Sequence, residues 1–352
     1  MPTLSICIPT YRRAPLLAEL LRSIVPQLQE GVEVVVGDDA SGDETPRVVE
    51  AFKADIPSLK FIQQSRNIGL DENFITLVNR ASGEYIWFMG DDDRVEPDGI
   101  ATVLNHLIRW PGVTGLTLGA IDYDHAFQTP VGLRATPPTM RLHGTDAVFT
   151  KLVDLLGFIS TLVVRRDLWR SVCREDPIGD YKNYYLQVYI LGRMIDRAGS
   201  WGIVNHACVG FRTDNDQFKS RYGWVGRMNV DIVAYDQIIM GLFPTKPSLR
   251  RQIRKRIFHT HIMARIRNAK AARERTPDLG KAANILFRRY KDLPEFWYAA
   301  VPMLLLHDSM VRALRTAYQR FSPTSGLHRA KRYRASTAGN YVPPFAGGTH
   351  PN

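Results

Sequence analysis

The stretch "EYIWFMGDDDRVEP", residues 84–97, places three consecutive aspartates directly after an apolar run. The run "YIWFM" is too apolar for a surface strand, so it predicts a buried β-strand with Asp91, Asp92 and Asp93 at the mouth of a core. Like charges repel there, and their desolvation is costly. A divalent cation, Mg²⁺ or Mn²⁺, would relieve the repulsion, because these ions take carboxylate and phosphate oxygens as ligands. A solvated acidic turn is the alternative, and the apolar flank favours the metal site.

Three runs ahead of this strand share its apolar, β-branched character: "LSICIP" (residues 4–9), "VEVVVG" (32–37) and "LKFIQQ" (59–64). Between the runs, apolar residues recur at helical spacing, as over residues 17–28, and Ser41-Gly-Asp-Glu44 has the spacing of a capping box at a helix start. The order βαβαβαβ predicts an α/β fold, in which a mainly parallel sheet is flanked by helices on both faces.

Polar residues follow each of the four predicted strands. In a parallel sheet, ligands bind beyond the carboxyl ends of the strands, so these residues are candidates for one site at one edge. They are Pro9-Thr10-Tyr11, Asp38-Asp39, Arg66-Asn67-Ile68-Gly69 and Gly90-Asp91-Asp92-Asp93.

The rest of the chain changes character near residue 223. Before that point, weaker patterns predict strands near 113–118 and 158–165, and helices near 146–156 and 184–198. Beyond it the pattern is helical, and the end is rich in Ser, Gly, Pro and basic residues, which is typical of disorder. The predicted organisation is a domain over residues 1–222 with halves of about 1–112 and 113–222, a basic C-terminal helical extension over 223–322 and a disordered tail over 323–352.

The net charge of +11 is concentrated in the helical extension. Residues 246–334 hold 22 Lys/Arg and 5 Asp/Glu, which gives +17 and leaves −6 for the remainder. A basic amphipathic helix suits an anionic membrane surface. The alternative is a helical subdomain that packs on the sheet domain and keeps a solvated basic face. The pattern also leaves open a homodimer formed through the apolar faces.

The other bulk features favour a cytoplasmic protein. The three cysteines are widely spaced, which suits a reducing compartment and indicates neither a disulfide framework nor a metal cluster. No signal peptide precedes the first strand-like run. The longest apolar stretch, residues 297–306, is about half of the ~20 residues that a membrane-spanning helix needs.

The stretches "SICIPTYRR", "VVVGDDASGDET", "SRNIGLDENF" and "ASGEYIWFMGDDDRVEPDGI" together resemble the family 2 glycosyltransferases, which have the GT-A Rossmann-like fold. The resemblance covers roughly residues 4–100. Later pieces, "FISTLVVRRDLW" and "FRTDNDQF", are similar to the abequosyltransferase-like branch, which acts in O-antigen and related bacterial surface-glycan synthesis. The resemblance implies a nucleotide-sugar donor, a saccharide acceptor linked to a polyprenyl diphosphate, and a divalent ion, Mn²⁺ or Mg²⁺.

Site roles also follow from the resemblance. Carried onto this sequence, Pro9, Thr10 and Tyr11 belong to the donor site, with Thr10 and Tyr11 against ribose and base. Asp39 accepts a hydrogen bond from the base, and Asp38 faces back into its loop. Arg66 and Asn67 complete the expected donor contacts, because they occupy positions where related enzymes contact the donor.

The acidic turn departs from the family pattern, which is D-x-D-D followed by Pro after three residues. Its first acid is replaced by Gly90, a departure shared with the abequosyltransferase branch. Asp92 is then the expected metal ligand, and Asp91 meets the ribose or a metal-bound water. Asp93 orients the site from behind.

The expected reaction is transfer of a sugar from a nucleotide diphosphate by direct displacement with inversion. It requires a Lewis acid for the leaving diphosphate and a carboxylate that takes the proton of the acceptor hydroxyl. The Glu-Asp pair typical of the family is absent. Asp180, before a helix-like stretch, is one candidate base, with a helix cap as the alternative. Asp214 in "FRTDNDQF" is the other, with Arg212 beside it as a bidentate partner for the diphosphate, and a surface turn is nearly as consistent.

Processive synthases carry a Gln-x-x-Arg-Trp pattern, which is missing here, so one sugar per encounter is expected. A sugar nucleotidyltransferase would share the sheet and carboxylates, but "IPTYRRAPLL" lacks the Gly-rich phosphate loop of that class. A nucleic-acid-binding module would account for the basic end and leave the acidic strand ends unexplained. No nucleic-acid partner is therefore expected.

Overall fold

The computed structural model describes residues 3–134, 136–213, 215, 217–272 and 276–337 of the chain. The first part alternates strands and helices as predicted. Their bounds are β1 Leu4–Thr10, α1 Ala14–Ile24, β2 Val32–Asp38, α2 Thr45–Ala51, β3 Leu59–Gln63, α3 Leu70–Arg80, β4 Tyr85–Phe88, β5 Arg94–Val95 and α4 Gly99–Arg109.

The predicted capping box before α2 is wrong. Ser41 Oγ contacts the Asp38 carboxylate and accepts a hydrogen bond from the Arg12 backbone N at 2.8 Å, so it does not cap the helix. Instead, Asp43 accepts from the Thr45 backbone N at 3.0 Å. The Ser41 loop is therefore used to hold the ends of β1 and β2 together.

The second part completes the sheet. Its elements are β6 Gly115–Tyr123, β7 Pro130–Arg134, β8 Met140–His143, α5 Thr145–Leu152, β9 Leu162–Arg165, α6 Arg166–Glu175, α7 Leu186–Ala198 and β10 Ser200–Arg212. Within the described residues the sheet has ten strands in the order β3-β2-β1-β4-β9-β6-β10-β5, with β7 paired to β6 and β8 paired to β10.

Strand direction decides which loops meet. β1, β2, β3 and β4 are mutually parallel, but β9 is antiparallel to both β4 and β6. Two reversals restore the direction, so β6 and its parallel neighbour β10 run the same way as β4. The sheet is thus mixed, and the carboxyl ends of β1, β2, β4, β6 and β10 lie at one edge.

Alternate side chains of the central strands enter two cores. In β1, Leu4, Ile6 and Ile8 pack on one side with apolar residues of α1 and α4, while Cys7 packs on the other side with residues of α3, α5 and α7. This period of two is what a strand with both faces covered requires. Both faces of the central strands are therefore covered.

The C-terminal extension is helical, as predicted, and shares a core with the sheet. Its helices are α8 Gln217–Leu242, α9 Pro247–Ile257, α10 Met263–Ala271, α11 Leu279–Tyr290, α12 Val301–Leu305, α13 Asp308–Phe321 and α14 Gly326–Thr337. Ile253, Phe258 and Leu286 join the core that contains Ile86 and Phe88 of β4. Each such side chain contributes about 1.5–3 kcal/mol by its burial. The extension is thus part of the fold.

The boundary predicted at residue 222 lies inside α8, where Gly223 has a φ of 67° that breaks the helical backbone. None of the described helices combines the length and the apolar character needed to cross a bilayer.

The predicted disordered tail from residue 323 includes a helix. Helix α14 packs against β7, and its Tyr333 Oη accepts from the Ala207 backbone N at 2.9 Å. The Arg334 guanidinium lies 5.6 Å from the centre of the Tyr123 ring. The contacts of Tyr333 and Arg334 thus hold this basic segment against the sheet. Residues 338–352 lie outside the described residues.

Candidate active site

The residues at the carboxyl ends of five strands line one cleft of about 1380 Å³. Thr10, Asp39, Asp91, Asp122 and Arg212 come from β1, β2, β4, β6 and β10, or directly follow them. Neighbouring strands lie about 4.8 Å apart, so β6, which is two strands from β4, lies on the order of 10 Å from it. The cleft continues from this edge to helices α8, α10 and α13.

Two aspartates of the acidic turn share one cation. Arg13 Nη1 lies 3.0 Å from Asp91 Oδ1 and 3.0 Å from Asp92 Oδ2. Thr10 Oγ1 donates to Asp91 Oδ2 at 2.8 Å, and Asn215 Nδ2 donates to Asp92 Oδ2 at 2.6 Å. The two carboxylates are therefore aimed at a single point on the floor of the cleft, where positive charge compensates both.

Asp93 points away from that point. Its Oδ2 accepts from Ser160 Oγ at 2.5 Å, and its Oδ1 accepts from the Arg212 backbone N at 3.3 Å. Ser160 Oγ also accepts from the Gly90 backbone N at 3.0 Å. A Cβ on Gly90 would lie 3.2–3.3 Å from oxygens of Asp92, Asp93 and Ser160. A side chain at position 90 would therefore be in tight contact with these oxygens, which glycine avoids.

The surroundings of Asp91 and of Asp93 raise the pKa values of both carboxyls. Burial raises the pKa of the Asp91 carboxyl to about 6, against the opposing effect of the Arg13 guanidinium. Burial, reinforced by the charge of Asp92, raises the pKa of Asp93 well above its usual range. Both oxygens of Asp93 are engaged by the protein, which fits a residue that supports the turn better than a metal ligand.

The donor set suits a metal that is completed by substrate. Among the described residues, no three His, Cys, Asp or Glu side chains converge on one position. Mg²⁺ is commonly bound through one or two carboxylates plus substrate phosphates. The oxygens of Asp91 and Asp92 that now face Arg13 fit this pattern, since both already point to one cation.

Asp39 holds the loop after β3 in place. Its carboxylate accepts from the backbone N of Ile68 at 2.7 Å and of Gly69 at 2.9 Å. Gly69 has a φ of 85°, a conformation that glycine adopts without strain. Asn67, with Pro9, Thr10 and Tyr11, lines the cleft.

The two remaining predictions on these loops have opposite outcomes. Asp38 turns back as expected, because its carboxylate accepts from the Ser41 backbone N at 3.0 Å and from Gln63 Nε2 at 3.1 Å. Arg66 is exposed and lies outside the set of cleft-lining residues, so its position does not support the expected donor contact.

Arg212 lines the cleft, but its guanidinium is engaged by the protein. Nε donates to the Asp92 carbonyl at 3.1 Å, and the two terminal nitrogens bind the His125 carbonyl and the Glu19 carboxylate. The group also lies 4.3 Å from the centre of the Phe127 ring. These contacts hold Arg212 against the acidic turn, so the predicted bidentate contact with a diphosphate would require the guanidinium to give up its present partners.

The structure does not bring the predicted base Asp180 into the cleft. Asp180 lies in the short 3₁₀ turn Ile178–Tyr181, is exposed and precedes α7, which begins only at Leu186. Its carbonyl binds Gln237 Nε2 at the surface. The other candidate, Asp214, lies outside the described residues.

The cleft residues that the sequence did not predict include Arg13, Asp122 and Arg134 near the sheet edge. Arg134 Nε donates to Asp122 Oδ1 at 2.6 Å, and its guanidinium lies 4.0 Å from the centre of the Phe211 ring. The signal for Asp122 was present, because an acid at the end of a strand had already marked Asp39 and Asp91.

The far end of the cleft is basic and carries a different cluster. Asp231 is fully buried in α8, where it pairs with Arg227 and with Arg265 Nε, the latter at 3.0 Å. Tyr185 Oη donates to Asp231 Oδ1 at 2.7 Å. The residues that line this end are Asp154, Tyr185, Trp224, Arg227, His261, Arg265, Asn268, Arg315 and Gln319.

The chain is similar to known proteins at two levels, a family match and individual relatives. Residues 5–165 match the family described as Glycosyl transferase family 2. The chain is 26% identical to the abequosyltransferase RfbV of Salmonella typhimurium, over 70% of this chain and 78% of that protein. It is also 34% identical to the GalNAc(5)-diNAcBac-PP-undecaprenol β-1,3-glucosyltransferase of Campylobacter jejuni, over 30% of this chain and 34% of that enzyme.

Solved structures share the fold over nearly the whole chain. The first 349 residues of S. aureus TarS in complex with UDP-GlcNAc superpose with a TM-score of 0.60 at 17% identity, covering 97% of this chain and 93% of that one. The mannosyltransferase PcManGT of Pyrobaculum calidifontis, in complex with GDP-Man and Mn²⁺, gives a TM-score of 0.50 at 16% identity, covering 96% and 86%. The helical extension thus belongs to the shared architecture.

Proposed function

We propose that this glycosyltransferase, whose residues 5–165 match Glycosyl transferase family 2, transfers one sugar per encounter from a nucleotide diphosphate sugar to a saccharide acceptor, with inversion. The acceptor belongs to bacterial surface-polysaccharide synthesis. The observation that carries the proposal is the pair of carboxylates, Asp91 and Asp92, directed at one cation on the floor of a cleft.

Asp92 and Asp91 would hold a Mn²⁺ or Mg²⁺ ion together with the donor diphosphate. Both carboxylates meet Arg13 at 3.0 Å, so their spacing allows one cation to contact both. When bound, such an ion supplies a Lewis acid that stabilises the negative charge of the departing diphosphate. Arg13 would then leave the position between the carboxylates, and its guanidinium would be close enough to pair with a phosphate.

The nucleoside fits the edge formed by β1, β2 and the loop after β3. Tyr11 is partly exposed beside Thr10, and Asn67 also lines the cleft. Asp39 uses its carboxylate to hold two backbone N–H groups. A carboxylate has about four lone-pair sites, so Asp39 can accept one more hydrogen bond from a base while it holds the loop.

We assign the proton-accepting role to Asp122. Its side chain is 22% exposed to the cleft, and its bond to Arg134 holds the carboxylate in one orientation. It lines the same cleft as Asp91 at the same sheet edge. Transfer of the acceptor proton to this carboxylate, as the hydroxyl attacks the sugar carbon, accounts for a direct displacement. Asp214 is the rival for this role, as the sequence predicts.

An anionic acceptor, such as a polyprenyl-diphosphate-linked saccharide, fits the helical end of the cleft. Arg227, Arg265 and Arg315 line that end, and Asp154 is the acid that lines it with them. Guanidinium groups bind phosphate well because their donors match its oxygens. The name of the Campylobacter relative includes a PP-undecaprenol acceptor. Such an acceptor would place the enzyme at the cytoplasmic face of a membrane.

Calorimetry with a panel of UDP-, GDP-, CDP- and dTDP-sugars tests the proposal. One nucleotide class should bind with Mn²⁺ present and lose affinity when the ion is chelated. Asp92→Ala should weaken that binding more than about 100-fold, because loss of even an indirect contact to a metal costs 10–100-fold. Asp180→Ala, which removes an exposed acid outside the cleft, should bind like wild type. Equal donor affinity in the Asp92 and Asp180 variants would overturn the metal assignment.

A further inference from the structure

Helix α13 exposes a row of large apolar side chains. Met310, Leu314, Tyr318 and Phe321 are 52%, 61%, 52% and 74% exposed. Their spacing of four, four and three residues places them on one side of the helix, which turns about 100° per residue. We call these four residues the α13 stripe. Soluble proteins rarely leave such a contiguous apolar row in water unless it meets a partner.

The stripe is presented by a helix that is held firmly from its other sides. Asp308, at the start of α13, forms an ion pair of 2.8 Å with Lys270, which is almost fully buried. Val311 is buried, and Arg315 Nη1 donates to Asn268 Oδ1 at 3.1 Å. Because α13 is anchored on α10, the stripe keeps its outward direction, and the helix cannot bury it by a simple rotation.

The surroundings of the stripe are cationic. Arg312, Arg315 and Arg320 lie on α13, whereas its one acid, Asp308, is already paired with Lys270. Arg267 on α10 is near enough to Arg315 that burial and this like charge lower the pKa of Arg267. An apolar row on a helix with three arginines, one of which, Arg320, lies 5.4 Å from the centre of the Phe321 ring, matches the chemistry of an anionic lipid surface, where acyl chains take the apolar groups and head groups take the cations.

We propose that the α13 stripe docks this protein on the surface of an anionic phospholipid bilayer. A second copy of the chain is a weaker fit as occupant, because a two-fold interface brings the same patch against itself. Arg320, whose guanidinium lies beside the Phe321 ring, would then approach its own copy, and such like-charge contacts are costly. A bilayer meets both features of the patch at once.

This location deepens the proposed function and rests on it in one respect, the choice of a lipid-linked acceptor. Arg315 and Gln319 of α13 line the helical end of the cleft, on a different side of the same helix from the stripe. One helix therefore borders both the bilayer and the acceptor end of the cleft. A lipid-linked diphosphate could enter between them without leaving the membrane surface.

Vesicle flotation of the full chain tests the docking. Wild type should float with vesicles that contain about one third phosphatidylglycerol, float less with pure phosphatidylcholine, and lose binding as salt rises, since exposed charges are screened. The double variant Leu314→Ser/Phe321→Ser should lose at least about tenfold in vesicle affinity, because two apolar side chains no longer insert. Ile108→Ser is the matched control: Ile108 is 76% exposed on α4, outside the stripe.

Three outcomes would overturn the docking: no flotation of wild type, equal flotation of the double variant and wild type, or a dimer in light scattering that the double variant converts to monomer. Donor binding, measured in solution without vesicles, should be the same in the double variant as in wild type. Vesicle binding that persists in a protein with no affinity for any nucleotide sugar would refute the proposed function and leave the docking intact.

Discussion

At the sheet edge of the cleft, one guanidinium, Arg13, lies between two carboxylates, Asp91 and Asp92. At the helical end the arrangement is reversed, because one carboxylate, Asp231, lies between two guanidiniums, Arg227 and Arg265. The first trio carries a net charge of −1 and the second a net charge of +1. The same pairing chemistry thus gives the two ends of one cleft opposite signs.

The two trios also differ in which members can move. All three residues of the acidic trio line the cleft, so Arg13 can be exchanged for another cation there. In the basic trio Asp231 is fully buried and only the two arginines reach the cleft. Under the proposed function, the sheet edge exchanges its cation for a metal ion, and the helical end keeps a positive charge that meets an anionic acceptor.

The largest expected effect concerns chemistry at the sheet edge. Asp122→Asn should lower the rate of sugar transfer by about 10²–10⁴-fold, the usual contribution of a general base, and should leave donor affinity unchanged. The amide retains an oxygen that can accept from Arg134, so the local structure should persist. Rapid-quench measurement of transfer to a saccharide acceptor, with donor binding followed by calorimetry, separates the two effects.

Asp180→Asn is the control for this experiment, since Asp180 lies outside the cleft. Full activity in the Asp122 variant would move the base role to Asp214. Low activity in the Asp180 variant alone would show that the acceptor side closes differently when substrate is bound.

The next effect tests whether Arg13 stands in for a cation. Arg13→Gln leaves Asp91 and Asp92 without their shared charge, and breaking a buried ion pair costs about 3 kcal/mol or more. The metal-free variant should therefore unfold at lower urea concentration than wild type. Mn²⁺ alone should restore part of the loss, and it should bind the variant more tightly than wild type.

Arg22→Gln provides the comparison, because Arg22 is an exposed arginine at the other end of α1. It should change neither the urea midpoint nor the response to Mn²⁺. If Mn²⁺ stabilised Arg13→Gln no more than wild type, Arg13 and the metal would not compete for the two carboxylates. The sheet edge would then keep its cation permanently, as the helical end does.

The sequence predicts the acidic end far better than the basic end. Asp39 and Asp91 follow runs whose period and composition mark buried strands, so the local pattern alone places them at the sheet edge. Asp122 has the same relation to β6, but the direction of β6 depends on β9, which is inserted antiparallel from residues 162–165. The local sequence of either segment does not predict that the two distant segments pair.

Side-chain partners were less predictable still. The chemistry of Arg212 is right for a phosphate, yet its nitrogens bind the His125 carbonyl and Glu19, which are 87 and 193 residues away along the chain. Asp180 resembles a residue at a helix start, but α7 begins only at Leu186. Residue type fixes what a group can do, whereas packing decides which partner claims it.

The smallest expected effect concerns the basic trio. Arg265→Gln removes one guanidinium from Asp231 and takes the net charge of the trio from +1 to 0. Affinity for an anionic acceptor should fall about tenfold, because a hydrogen bond to a charged group is worth about 1.5–3 kcal/mol, while donor affinity should stay the same. The ratio of transfer rates with a diphosphate-linked acceptor and with the same saccharide lacking diphosphate gives the measurement.

Arg254→Gln is the matched control, because Arg254 has similar exposure and pairs with Asp236 and Asp292 but lies outside the set of cleft-lining residues. Its acceptor preference should equal that of wild type. Arg265→Lys should recover part of the preference through its charge. The preference for the diphosphate-linked acceptor would contradict this prediction if it survived Arg265→Gln. The basic trio would then serve only to hold α8 against α10, and other residues of the cleft would bind the acceptor's charge.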